Sequence, residues 1–123
     1  MNARYTVTVE TRFSATHQLR LADGAVEPRH GHDWLVQATF AQSGLDRVGM
    51  VVDFHQAEAL LKTIVAPFHH GDLNSQSALE GRNPTAEVVA KYVFDRLGEG
   101  SLPCVLRVCI TEAPDCKACY EAE

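Results

Sequence analysis

Residues 4–17 read Arg4-Tyr5-Thr6-Val7-Thr8-Val9-Glu10-Thr11-Arg12-Phe13-Ser14-Ala15-Thr16-His17. Tyr5, Val7, Val9, Phe13, Ala15 and His17 fall on one side of a period-two repeat; Thr6, Thr8, Glu10, Arg12, Ser14 and Thr16 fall on the other. Alternation with β-branched and aromatic residues predicts a half-buried strand. Its apolar face ends in a histidine. Residues 18–29 carry Asp23-Gly24 and Pro28, which predict a loop. A second strand is predicted over about 30–42, where His30, His32, Trp34, Val36, Ala38 and Phe40 share a face. Antiparallel pairing across the loop sets the end of the first strand beside the start of the second. His17 then lies next to His30 and His32, on the same face.

Further along, Phe54, Ala57, Leu61, Ile64 and Val65 recur at helical spacing, which predicts a helix over 54–66 that Pro67 ends. Residues 68–83, rich in His, Gly, Asn and Ser, predict a long loop, and long loops tend to carry function. Asn83-Pro84-Thr85 is a helix-start signal. A second helix over 86–97 places Val89, Tyr92, Val93 and Leu97 on one face, and Gly98 and Gly100 stop it. In a third strand over 103–112, Cys104, Leu106, Val108 and Ile110 alternate toward Glu112. Ala113-Pro114-Asp115 turns the chain into a last strand over 117–122. The order is β-β-α-α-β-β, with no internal repeat or linker, in one α+β domain covering 1–123.

The chain has 123 residues, 46% hydrophobic and 22% charged, enough for a core that needs neither metal nor disulfide to fold. A net charge of −5 argues against nucleic acid as a partner, which would call for a basic stripe. No apolar run reaches membrane-spanning length. The first residues lead into a strand pattern rather than a signal peptide, so a cytoplasmic address is expected. Cys104, Cys109, Cys116 and Cys119 crowd into the last twenty residues. Cys104 and Cys109 point to opposite faces of the predicted strand, so reduced thiols are expected rather than a disulfide framework. Cys116-x-x-Cys119 has neither a second pair nor a β-α-β context to support a metal or redox site.

Three imidazoles that converge, with a fourth position open, form the usual protein shell of a catalytic zinc. His-Gly-His alone is a weak signal; His17 on the same converging face strengthens it. Imidazoles at the end of a buried face are poorly hydrated, and a metal offsets that cost. Glu27, three residues before His30, is either a solvated loop carboxylate or a general base beside the metal. His69-His70 is either a polar loop or a proton-transfer site. Glu112 faces inward by alternation and can accept hydrogen bonds from a ligand's amino and ring N–H groups. Asp53 reads as a helix cap.

Six segments then combine: Phe13-Ser14-Ala15-x-His17, His30-Gly31-His32-x-Trp34, Gly49-Met50-Val51-x-Asp53-Phe54, His70-x-x-Leu73-Asn74, Asn83-Pro84-Thr85-x-Glu87 and Glu112-x-Pro114-x-x-x-Ala118-x-Tyr120. As a set they resemble the 6-pyruvoyltetrahydropterin synthases and the related 6-carboxytetrahydropterin synthases of queuosine biosynthesis. The resemblance implies a tunnelling fold, a four-stranded antiparallel sheet with two helices on one face. It implies zinc on His17, His30 and His32. It implies a homo-oligomer, commonly a dimer of trimers, with active sites at subunit interfaces, where Glu112 anchors the pterin with Thr85 nearby. The implied substrate is 7,8-dihydroneopterin triphosphate.

Two departures bear on the chemistry. The family's catalytic cysteine lies shortly before His-Gly-His, yet residues 1–103 hold no cysteine. The family's Asp-His pair reads His69-His70 here. One branch of the family, with folate-pathway chemistry, has Glu three residues before His-Gly-His, which Glu27 fits. The resemblance to that branch implies retro-aldol cleavage to 6-hydroxymethyl-7,8-dihydropterin, with Glu27 as base and His70, with His69, returning a proton. The alternatives are 6-pyruvoyl- or 6-carboxytetrahydropterin formation, or pterin binding without catalysis. By charge alone, Arg29, Arg82 and Lys117 are candidates for the triphosphate.

Overall fold

The alternating stretch forms strand β1 (Tyr5–His17), and the second forms β2 (His30–Gln42). The structure, a computed structural model, describes residues 3–102 and 104–123. The two strands pair antiparallel without interruption from Tyr5 opposite Gln42 to His17 opposite His30. Helix α1 (Phe54–Val65) follows. Asp53 caps it, its side chain accepting from the His55 and Gln56 amides. Next come a two-residue strand β3 (Gly71–Asp72), helix α2 (Ala86–Gly98), β4 (Val105–Ala113) and β5 (Cys116–Glu121). The sheet runs β3-β1-β2-β4-β5.

The core lies between one sheet face and the helices. Val9, Phe13, Trp34, Val36, Phe40, Val108 and Ile110 are buried from the sheet side. Ala57, Leu61 and Ile64 of α1 meet them, as do Val89, Val93 and Leu97 of α2. Alternation therefore correctly assigned the inner face of the long strands. No helix among the described residues is long and apolar enough to cross a membrane.

Four details differ from the sequence reading. The sheet has five strands rather than four and is mixed, because β3 pairs parallel to Ala15 and Thr16 inside the stretch read as loop. Two residues show no periodicity; at Gly71 the fit is tight, since an added Cβ would lie 3.2 Å from the Phe68 carbonyl oxygen. Phe54 does not join the apolar stripe of α1, being 62% exposed at the helix's first position. Cys104 precedes β4, is exposed and has φ 56°. Finally, Cys109 and Cys119 form a disulfide. They stand opposite each other across β4 and β5, with Cα atoms 4.0 Å apart. Comparing faces along one strand could not reveal a pair between strands. Cys104 and Cys116 are free thiols.

Candidate metal centre and active site

The β1–β2 ladder delivers His17, His30 and His32 to one end of the sheet, on the face that packs against the helices. The rings of His17 and His30 lie 4.5 Å apart between centroids, and those of His30 and His32 lie 4.8 Å apart. The face of the cluster toward the core is closed by Trp34, whose ring stands edge-on to His17 at 4.8 Å and whose Nε1 donates to the Ala15 carbonyl at 3.2 Å. One donor atom from each of His17, His30, His32 and Glu112 falls within 4.8 Å of all the others.

The tautomers follow from the neighbours. His17 is 0% exposed, and its Nδ1 lies 2.8 Å from the Pro84 carbonyl oxygen. His30 Nδ1 lies 3.1 Å from the Pro28 carbonyl oxygen. A carbonyl only accepts, so both Nδ1 atoms carry protons and donate. In the neutral rings, both Nε2 atoms then present lone pairs. Those two atoms are 2.8 Å apart, and Glu112 Oε1 is also 2.8 Å from His17 Nε2. Facing lone pairs and a carboxylate repel unless something electrophilic stands among them. The donor set therefore fits a divalent metal. Three imidazoles suit zinc, and the carbonyls on the far nitrogens of His17 and His30 fix those two rings as outer partners of metal ligands do.

The other candidate residues fall into separate places. The Glu27 backbone N–H donates to the Leu19 carbonyl at 3.0 Å. The Oε1 of Glu27 is buried without a hydrogen-bond partner, 3.6 Å from His30 Nδ1. Glu112 meets the imidazoles directly, with its side chain 26% exposed. Thr85 caps α2, its Oγ1 accepting from the Val88 amide at 3.1 Å. His70 has φ 60°, and its amide donates to the Ser14 carbonyl at 2.6 Å. It lines an open cleft of about 660 Å³ together with His32, Asp33 and Asp72. His69 stacks on His70 yet faces another depression, beside Phe13 and Lys62, with its Nδ1 accepting from the Ser14 amide at 3.1 Å. Of the charged candidates for the triphosphate, Arg29 is engaged with Asp72 and Arg82 Nε donates to the Leu79 carbonyl.

Sequence reasoning missed three contributors. The Pro84 carbonyl orients His17. Asn74 and Asn83 grip the backbone just beyond His17, each through both atoms of its amide. Their presence in the shared segments was the only available signal.

The chain is similar in sequence and fold to known proteins. The chain is 33% identical over 99 residues to 6-carboxy-5,6,7,8-tetrahydropterin synthase of Synechocystis sp., covering 76% of this chain and 75% of that one. It is 31% identical over 117 residues to a putative 6-carboxy-5,6,7,8-tetrahydropterin synthase of Archaeoglobus fulgidus, covering 94% of each. Its fold is shared with Plasmodium vivax 6-pyruvoyltetrahydropterin synthase, solved as a variant with a catalytic glutamate replaced by alanine. The TM-score is 0.80 at 16% identity, over 98% of this chain and 99% of that one. The family profile for 6-pyruvoyl tetrahydropterin synthase matches residues 6–123, from the first strand through the imidazole end of the sheet to Glu112 and beyond, and the chain belongs to that family.

Proposed function

We propose that this protein is a zinc-dependent lyase that cleaves the side chain of 7,8-dihydroneopterin triphosphate between its two hydroxylated carbons, giving 6-hydroxymethyl-7,8-dihydropterin. The observation that carries this reading is Glu27, whose buried Oε1 has no hydrogen-bond partner beside His30. A buried carboxylate oxygen without a partner is costly unless a ligand uses it.

His17, His30 and His32 hold the metal. When bound, zinc supplies Lewis acidity that lowers the pKa of the side-chain hydroxyls. Glu27 accepts the proton of the hydroxyl farther from the ring. The bond between the two hydroxylated carbons then breaks, and its electron pair passes into the ring imine. His70 returns a proton to the carbon next to the ring, leaving an aldehyde that carries the triphosphate. A carboxylate, with a reference pKa of about 4.3 against about 8.5 for a thiol, is the weaker base. It suits an activated O–H better than the C–H that the family's cysteine serves. Glu112 accepts from the amino and ring N–H groups of the pterin, and Thr85 keeps its hydroxyl proton free to donate to it. The working form is a homo-oligomer with the pockets between subunits.

A second reading is 6-carboxytetrahydropterin formation, favoured by the two relatives above 30% identity that bear that name. Mass analysis of the products separates the two. Zinc-loaded protein given dihydroneopterin triphosphate is expected to release the 6-hydroxymethyl product. A 6-carboxy or 6-pyruvoyl product, with no 6-hydroxymethyl compound, overturns the proposal.

A further inference from the structure

We propose that Asn74 and Asn83 are positioning residues that together act as a surrogate strand and set Glu27 against the imidazole cluster; this rests on Glu27 being the base. The ladder of β1 ends at His17, yet the backbone of residues 18–21 stays hydrogen-bonded on both sides. On one side, the Gln18 N–H donates to Asn74 Oδ1 and the Gln18 carbonyl accepts from Asn74 Nδ2, both at 2.8 Å. Two residues on, the Arg20 N–H donates to Asn83 Oδ1 and the Arg20 carbonyl accepts from Asn83 Nδ2, both at 2.9 Å. One planar amide thus meets both backbone groups of one residue, twice, at the two-residue spacing at which a neighbouring strand would do so.

The opposite edge of the same segment holds the base. The Leu19 carbonyl accepts from the Glu27 N–H at 3.0 Å, and the Leu21 N–H donates to the Ala25 carbonyl at 2.7 Å, flanking the bridge between Arg20 and Val26. Residues 18–21 therefore lie between two asparagine side chains and the arm that carries Glu27. The residue after Asn83 gives its carbonyl to His17 Nδ1, so the dipeptide Asn83-Pro84 holds both a candidate metal ligand and the arm of the base. Neither asparagine is assigned a chemical step, but displacing a catalytic group by about 1 Å can cost on the order of 10²-fold in rate.

The test is a double-mutant cycle on the zinc-loaded protein, with Asn83→Ala, Glu27→Gln and the two combined, and Asn74→Ala as a second entry to the same effect. Asn83→Ala is expected to lower kcat by roughly 10²-fold with KM and zinc content kept. Amide hydrogen exchange at Arg20 and Glu27 should quicken. In the Glu27→Gln background, Asn83→Ala should lower kcat no further. An equal loss in both backgrounds means a merely structural role and overturns the proposal, as does wild-type kcat in Asn83→Ala. Full turnover by Glu27→Gln removes the base and the proposal with it, and is recognised in that single variant before the cycle is read. Should Asn83→Ala not fold, Asn83→Asp keeps the acceptor for the Arg20 N–H, sets a charged oxygen against the Arg20 carbonyl in place of the donor, and carries the same cycle.

Discussion

The imidazole end of the β1–β2 ladder and the connection between α1 and α2 bring side chains to the site in opposite ways. In the ladder every residue from Tyr5 to His17 has a partner on β2, and the backbone alone decides which side chains converge. In the connection the chain passes through three short 3₁₀ turns, a two-residue strand and left-handed residues at His70 and Glu80. There, position is held by side chains reaching backbone, as Asn74 and Asn83 do. The proposed metal ligands need fixed mutual distances, and the ladder supplies them. The proposed proton-transfer groups need placement against a ligand, and pinned loops supply that.

The strongest way to break this contrast is His17→Ala, at the ladder's end. The variant removes a fully buried ring and leaves the Pro84 carbonyl without its donor, a cost of about 1–3 kcal/mol for the carbonyl alone. It should fail to retain zinc after dialysis, and turnover should vanish. A His17→Ala protein that keeps stoichiometric zinc would remove the ladder from metal binding. Next in size is Glu27→Gln, on the pinned arm. Loss of a general base costs roughly 10²–10⁴-fold in kcat. Zinc content should be unchanged, and the melting temperature should not fall, because an unpartnered buried carboxylate oxygen gives way to an uncharged amide. The pair of variants thus separates metal retention from turnover. A third comparison divides the adjacent histidines: His70→Ala should lower kcat by at least tenfold, while His69→Ala, whose ring accepts from the Ser14 amide, should cost about 1 kcal/mol of stability and little activity. Equal kinetic losses would mean that the two rings act as a unit.

The same contrast governs how much was legible in the sequence. The convergence of His17, His30 and His32 followed from alternation, because a period of two assigns faces over thirteen residues without reference to any other part of the chain. Glu112 was legible for the same reason, as the inward end of a third stripe. What escaped depends on contacts distant in sequence. The amide clamps join residues 18 and 20 to 74 and 83, and no local pattern encodes such a pairing. The disulfide depends on the register between β4 and β5, which two short strands set through their turn and bulge. The parallel pairing of β3 is shorter than any repeat can show. Glu27 lay in between: its spacing from His30 was visible, but its burial without a partner was not.

The smallest effect is expected where scaffold and site are farthest apart in role. Asp53 belongs to one of the shared segments, yet its Oδ1 accepts from the His55 amide at 2.7 Å and the Gln56 amide at 3.3 Å, which is the work of a helix cap. Asp53→Ala should therefore cost about 1 kcal/mol. For a chain of this length that lowers the melting temperature by roughly 4 °C at fixed protein concentration. Zinc content and kcat should stay at wild-type values, since α1 packs against β1 from the core side and none of the candidate ligands lies on it. Asp53→Asn, which keeps an acceptor at the cap, should recover most of the lost stability. A fall in kcat larger than the stability loss explains would place this segment in the active site after all, and the division between rigid ladder and pinned loops would have to include a third region.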